Sequence, residues 1–217
     1  MPFMSKISLS GESAPDIYQI TIRGANMLLV VEESLVLIDT GHRGSGSEIV
    51  EYIHQLGHSP EEISLIILTH NHIDHVGGLA ELKQMIKARV AIHKTDIGER
   101  KHLPSARAED IDIPLEGGEV LNLLGGLEVI HTPGHTPGSI SLFSTRNKLL
   151  IVGDAMRKRR DKLDLPFRTA SFNRNQAIET VRKLSRLDLE IMCFGHGLPL
   201  TDNAQVRIQE LAERNRD

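Results

Sequence analysis

The sequence contains no tryptophan, and aromatic residues make up only 3% of it, which argues against a base-stacking platform for nucleic acid. It has a single cysteine, Cys193, so neither an intramolecular disulfide nor a cysteine-rich zinc cluster can form. That count is compatible with a reducing compartment. Neither sign of charge dominates: 25 Lys and Arg stand against 29 Asp and Glu, for a net charge of −4. A broad basic surface is therefore missing, and no nucleic-acid partner is expected. No apolar run reaches a membrane-spanning length, and residues 1–16 carry no signal-peptide core. The expectation is a cytoplasmic protein with no membrane partner. Linkers, repeats and low-complexity tracts are also missing. The 217 residues read as one domain, 1–217, long enough to bury a core of its own.

What the chain does have is histidine, at 11 residues. The hydropathy pattern supplies a frame for them. Ile17–Ile22, Met27–Val31 and Leu35–Ile38 read as strands separated by turn residues. Ser45–Leu56 carries an apolar stripe of Ile49, Ile53 and Leu56, has Ser45 or Ser47 available as cap, and stops at Gly57, so it reads as a helix. Ile63–Leu68 is continuously apolar, as in a strand covered on both faces. Thr69–Gly78 is a polar loop at its end. Helices are expected at Leu79–Ile86, over residues 94–101, after Asn173 or Asn175, and at Asp202–Arg214. Further strands are expected at Arg89–Ile92, Val120–Leu123, Leu127–Ile130, Ser139–Phe143, Lys148–Val152 and Glu190–Phe194. Hairpins mixed with strand–helix alternation imply an α/β protein with mixed sheets and helices outside them. A four-layer α/β/β/α sandwich with two mixed β-sheets fits that pattern.

The loop reads Thr69-His70-Asn71-His72-Ile73-Asp74-His75-Val76-Gly77-Gly78. Four potential metal ligands fall within residues 70–75. In an extended segment, residues two apart project to the same side, so His70 and His72 can grip one cation together. Asp74 and His75 follow where the chain turns, and point to a neighbouring position. One loop histidine alone is ordinary; His-x-His-x-Asp-His at a strand end supplies the several convergent groups that metal ligation needs. Imidazoles with a carboxylate suit zinc, iron or manganese.

Residues 69–78 resemble the signature of the metallo-β-lactamase-fold hydrolases. Four more landmarks of that family follow the same resemblance: Leu37-Ile38-Asp39-Thr40-Gly41, the stretch His131–Gly138 around His135, Gly153-Asp154, and Phe194-Gly195-His196-Gly197. The resemblance implies that His70, His72 and His135 hold one metal ion, that Asp74, His75 and His196 hold a second, and that Asp154 bridges them. It implies that Asp39 supports the metal loop from behind. Two divalent ions per chain are expected, zinc foremost, with iron or manganese as alternatives. With Asp154 in the bridging position, the pattern resembles that of glyoxalase II and the lactonases. Lactonases of this fold often carry a tyrosine after the bridging aspartate, where this chain has Ala155-Met156-Arg157.

The implied activity is that of a dinuclear metal-dependent hydrolase. A hydroxide shared by the two ions would attack an ester, thioester or lactone of a small-molecule substrate, because metal binding lowers the pKa of water to about 7. Asp74 would also help move a proton to the leaving group. In the segment 156–171, Arg157 and Arg160 are candidates to hold a carboxylate or phosphate of the substrate. Two other readings share the fold: a mononuclear iron persulfide dioxygenase, which uses fewer ligands, and a non-catalytic metal-binding module, whose relatives lose ligands. All seven ligand positions are filled here. The sequence leaves the oligomeric state open.

Overall fold

The computed structural model describes residues 2–9, 15–98, 106–160, 162–167 and 171–216. The chain divides into two units, Met1–Leu115 and Glu116–Asp217.

Unit 1 is a seven-stranded mixed sheet in the order β1-β2-β3-β4-β5-β6-β7. Strands β1 (Phe3–Ile7), β2 (Asp16–Ile22), β3 (Ala25–Val31) and β4 (Leu35–Ile38) form an antiparallel meander. Strands β5 (Ile63–Leu68), β6 (Arg89–His93) and β7 (Ile113–Leu115) then add in parallel. Parallel pairing requires crossovers, and helices α1 (Gly46–Gln55) and α3 (Leu79–Met85) lie within them. The short helix α2 (Ile73–Val76) precedes α3. Helix α1 buries Ile49 and Ile53 as its stripe predicts, and the chain leaves it through Gly57 at φ +81°. Ser45 occupies its N-cap position without bonding the first turn through its side chain. Ile20, Leu29, Leu37, Ile66, Leu68, Leu82 and Ile92 join Ile49 and Ile53 in one buried core. Each such side chain contributes about 1.5–3 kcal/mol of burial free energy.

Unit 2 is a five-stranded mixed sheet in the order β14-β11-β10-β9-β8. Strands β8 (Val120–Leu121), β9 (Leu127–His131), β10 (Ile140–Ser144) and β11 (Leu149–Ile151) pair antiparallel, and β14 (Ile191–Cys193) joins β11 in parallel. Between β11 and β14 lie a two-stranded hairpin, β12 (Arg157–Arg159) with β13 (Lys162–Asp164), and helix α4 (Arg174–Leu184). The Asn173 side chain caps α4 by accepting from the Gln176 N–H at 3.2 Å. Helix α5 (Ala204–Glu213) packs on α4, and Ala177, Val181, Leu184, Ile208 and Leu211 share one core.

Two mixed sheets with helices place the protein in the α/β class, as the sequence predicts. Several local expectations shift. The run 157–160, which has no strand pattern in the sequence, lies in a hairpin, because register pairing of Lys158 with Leu163 recruits this polar stretch into a strand. The described part of 94–101 is a single 3-10 turn, Lys94–Asp96. Strands β1 and β7 lacked a sequence signal. Lys101 and His102, and positions 161 and 168–170 of the candidate substrate segment, lie outside the described residues.

Candidate metal centre

In unit 1 the donors gather at the C-terminal end of β5. Central parallel strands end at one edge of the sheet, so β4 and β5 deliver Asp39 and Thr69 side by side. The Asp39 N–H donates to the Ile67 carbonyl at 2.8 Å, and its φ of +61° turns the chain sharply. Asp is one of the few L residues that tolerate this conformation. His72 is still extended, at φ −98° and ψ 150°, so His70 and His72 present their rings to one side, with centroids 4.7 Å apart. The chain then coils into α2, which brings the His75 ring to 4.2 Å from the His70 ring. The Asp74 Oδ2 lies 3.8 Å from His75 Nε2. Ligand atoms of the pairs His70–His72, His70–His75 and Asp74–His75 each fall within 4.8 Å.

Asp39 organises this set from behind. Its carboxylate accepts from the Thr69 N–H at 2.7 Å, the Thr69 hydroxyl at 2.8 Å and His75 Nδ1 at 2.7 Å. A carboxylate in these bonds only accepts, so the proton of His75 sits on Nδ1 and Nε2 keeps its lone pair. The Thr69 hydroxyl has spent its one proton on Asp39. Its oxygen therefore accepts from His70 Nδ1 at 3.1 Å, which leaves a lone pair on His70 Nε2 as well. One buried carboxylate thus sets the tautomer of two imidazoles for metal ligation. Asp39, which the resemblance expects behind the metal loop, bonds Thr69 and His75 here. Thr69 carries part of that work and was missed, because a threonine beside a histidine has no distinguishing sequence signal.

The glycines of the loop act through close approach. A Cβ on Gly78 would lie 2.3 Å from the Thr40 carbonyl oxygen, and one on Gly77 would lie 2.4 Å from the Arg43 nitrogen. That contact lets the Thr40 N–H and hydroxyl both reach the His75 carbonyl, at 2.7 and 2.9 Å.

In unit 2 the donors come from three separate strand ends. His135 lies in the turn joining β9 to β10, held by the Thr132 N–H on the Ser139 carbonyl at 2.8 Å and by the Thr136 N–H on the Ser139 hydroxyl at 3.0 Å. Gly134 has φ +138°, and a Cβ there would meet Ala177 of α4 at 2.5 Å. Asp154 follows β11 and His196 follows β14. The parallel pairing of these strands brings both residues to one edge, where the Gly195 N–H donates to the Gly153 carbonyl at 2.8 Å. His135 Nε2 and His196 Nε2 each lie 3.4 Å from the same oxygen, Asp154 Oδ2.

Each unit therefore gathers imidazole and carboxylate donors at the end of its strands. The donor chemistry fits a divalent cation: His70 and His75 set as lone-pair donors, three further imidazoles and carboxylates of low exposure, with no thiol among them. Cys193 is fully buried in β14, where burial pushes its thiol up to about 12, so it is inert packing.

Of the candidate substrate arginines, Arg157 lies in β12 and Arg160 directly follows it. Arg157 Nε donates to the Leu165 carbonyl at 3.0 Å, its Nη2 to Asp164 at 3.1 Å, and its guanidinium lies 3.8 Å over the Phe167 ring. Arg160 sits at the end of β12 with φ +53°, exposed.

A family model described as the metallo-beta-lactamase superfamily matches residues 20–196, across both units. A probable metallo-hydrolase, YflN, from Bacillus subtilis is 32% identical, over 99% of this chain and 97% of its own length. An N-acyl homoserine lactonase from a Bacillus species is 26% identical, over 79% of this chain and 80% of its own length. Among solved structures, a metallo-beta-lactamase from Pontibacter korlensis superposes with a TM-score of 0.76 at 19% identity, over 99% of this chain and 100% of that one. At that identity the superposition speaks to the fold alone. No helix among the described residues is long and apolar enough to cross a membrane.

Proposed function

The chain belongs to the metallo-β-lactamase superfamily, a family of metal-dependent hydrolases, and we propose on that basis that it is a dinuclear hydrolase of an ester, thioester or lactone. In this reading His70, His72 and His135 hold one divalent ion, Asp74, His75 and His196 hold another, and Asp154 serves both. Zinc is the expected metal. Bound there, two zinc ions would lower the pKa of water to about 7 and polarise the substrate carbonyl. The chain's own residues do the rest. Asp39 keeps His75, and through Thr69 also His70, in the tautomer that ligates. Asp154 is approached by two imidazoles on one oxygen, the arrangement suited to a carboxylate shared by two ions. Asp74, part-buried beside His75, would pass a proton to the leaving group in this reading. The observation that carries the proposal is the double use of Asp39, a buried carboxylate that bonds His75 directly and acts on His70 through the Thr69 hydroxyl.

A lactone is the favoured substrate class, since relatives named as lactonases align over most of this chain. The position after Asp154 is Ala155 rather than tyrosine, so positioning of the ring must come from other residues. A panel of lactones, thioesters, simple esters and β-lactams, assayed with zinc-loaded protein, tests the reading. Turnover of at least one ester-type substrate with about two ions per chain is expected. Saturation at one ion, or oxygen uptake in place of hydrolysis, overturns it.

A further inference from the structure

Asn71 stands between His70 and His72 and is itself buried. The two histidine rings share one side of the extended segment, so Asn71 projects to the other. There its side-chain amide donates to the Asp96 carbonyl at 2.7 Å and to the Gly98 carbonyl at 3.1 Å. Its Oδ1 accepts from the Ala106 N–H at 2.9 Å. Its own backbone N–H donates to the Asp96 carboxylate at 3.0 Å. The Gly98 N–H donates to the Ala106 carbonyl at 3.1 Å, so two partners of the Asn71 side chain are themselves tied together.

We propose that Asn71 is a positioning residue: by pinning the backbone between His70 and His72 to Asp96, Gly98 and Ala106, it sets the geometry with which the two histidines grip a metal ion. This rests on the metal-binding reading of the site. The chemistry selects asparagine. The position needs two donors and one acceptor at fixed separation, and both amide hydrogens and the carbonyl oxygen are used. Aspartate has no donor and would face two carbonyl oxygens and a second carboxylate. Serine has one donor, and glutamine is a methylene too long. Asp39 and Thr69 fix the ring tautomers from one side, but neither bonds the backbone between the two ligands. Ligand geometry must hold to about 0.5 Å for tight binding, and removing a partner behind a ligand typically lowers metal affinity about 10–100-fold.

The test is titration of the metal-free protein with zinc and, for its absorption spectrum, with cobalt. Wild type, Asn71→Ala and Asn71→Asp are compared with a control, Asn147→Ala. Asn147 also spends its amide on a backbone carbonyl and a hydroxyl, at 2.9 Å each, but in the turn joining β10 to β11, where it adjoins no ligand. Both alanine variants should lower the melting temperature of the metal-free protein. Only Asn71→Ala should weaken zinc binding, by tenfold or more, and alter the cobalt spectrum; Asn71→Asp should be no better. If Asn71→Ala does not fold, Asn71→Ser is expected to fold and bind zinc with intermediate affinity. Wild-type affinity and an unchanged cobalt spectrum in the substituted protein overturn the role of Asn71 while leaving the metal reading intact. Failure of the wild type to bind zinc overturns both.

Discussion

Unit 1 draws its four donors from residues 70–75, whereas unit 2 draws three from positions 135, 154 and 196. The first set is a local object. Its spacing follows from one strand end running into one helical turn, and buried polar partners brace it from behind at Asp39, Thr69 and Asn71. The second set exists only because β11 and β14 are parallel neighbours and β9 turns into β10. Its convergence is a property of the sheet, and one oxygen of Asp154 is its focus. A contiguous set concentrates its risk in the residues that orient it; a dispersed set concentrates its risk in the donor that the others meet.

That contrast is open to direct attack at Asp154. Asp154→Ala removes the focus of the dispersed set and touches no core side chain. We expect turnover to fall at least a hundredfold, about 2.7 kcal/mol of barrier, with an unchanged circular dichroism spectrum. Activity within tenfold of wild type would show that Asp154 is not shared.

The matching attack on unit 1 is Asp39→Ala. It strands the Thr69 N–H, the Thr69 hydroxyl and His75 Nδ1, all buried. Leaving buried donors unpaired costs about 1–3 kcal/mol each, partly relieved by water entering the space. A loss of about 3 kcal/mol in urea unfolding is expected, together with about 10–100-fold weaker metal binding. Asp154→Ala should produce no comparable loss of stability in metal-free protein. If the two variants destabilise that form equally, the contrast between the sets fails.

The same contrast explains what was legible in the sequence. His70, His72, Asp74 and His75 announce themselves by spacing alone, because strand and turn geometry act within a few residues. His135, Asp154 and His196 gain meaning only through family resemblance, since no local rule relates positions so far apart in the chain. Strands with aliphatic runs, such as β5, and helices with stripes and caps, such as α1 and α4, follow from periodicity. The hairpin β12–β13 does not, because its pairing is decided by partners and not by its own run of cations. Thr69 and Asn71 were hidden for a related reason. Their roles depend on Asp39, Asp96 and Ala106, which lie 25–35 residues away in the chain.

The strand that carries His196 offers a gentler probe. Cys193, on β14, is buried, and desolvation raises its thiol from an ordinary value of 9.0 to about 12. A folded pKa above the unfolded one means that the stability contribution is complete below pH 9 and is lost as pH rises from 9 to 12. At pH 10 the loss should be about 1.4 kcal/mol relative to pH 8. Cys193→Ala lacks this dependence, so the stability gap between wild type and variant should narrow across that window. A gap that stays constant would mean that β14 opens to solvent, and that the edge where His196 meets Asp154 is less firm than the parallel pairing implies.

The mildest effects are expected in the hairpin after Asp154, where the two arginines play different parts. Arg157 is committed to Asp164, the Leu165 carbonyl and the Phe167 face, so Arg157→Ala should cost about 1 kcal/mol, the value of one part-exposed ion pair and one cation–π contact. Arg160 holds a backbone conformation that glycine adopts freely, so Arg160→Gly removes its charge while keeping stability within about 0.5 kcal/mol. If the cationic run favours anionic substrates, Arg160→Gly should raise KM for a carboxylated ester about two- to threefold and leave its neutral twin unchanged. Salt at about 0.5 M should erase the difference, because exposed charges are screened within several Å there. Equal KM changes for both esters, or a difference that survives salt, would reduce Arg160 to a turn residue and leave substrate choice to the walls around the two donor sets.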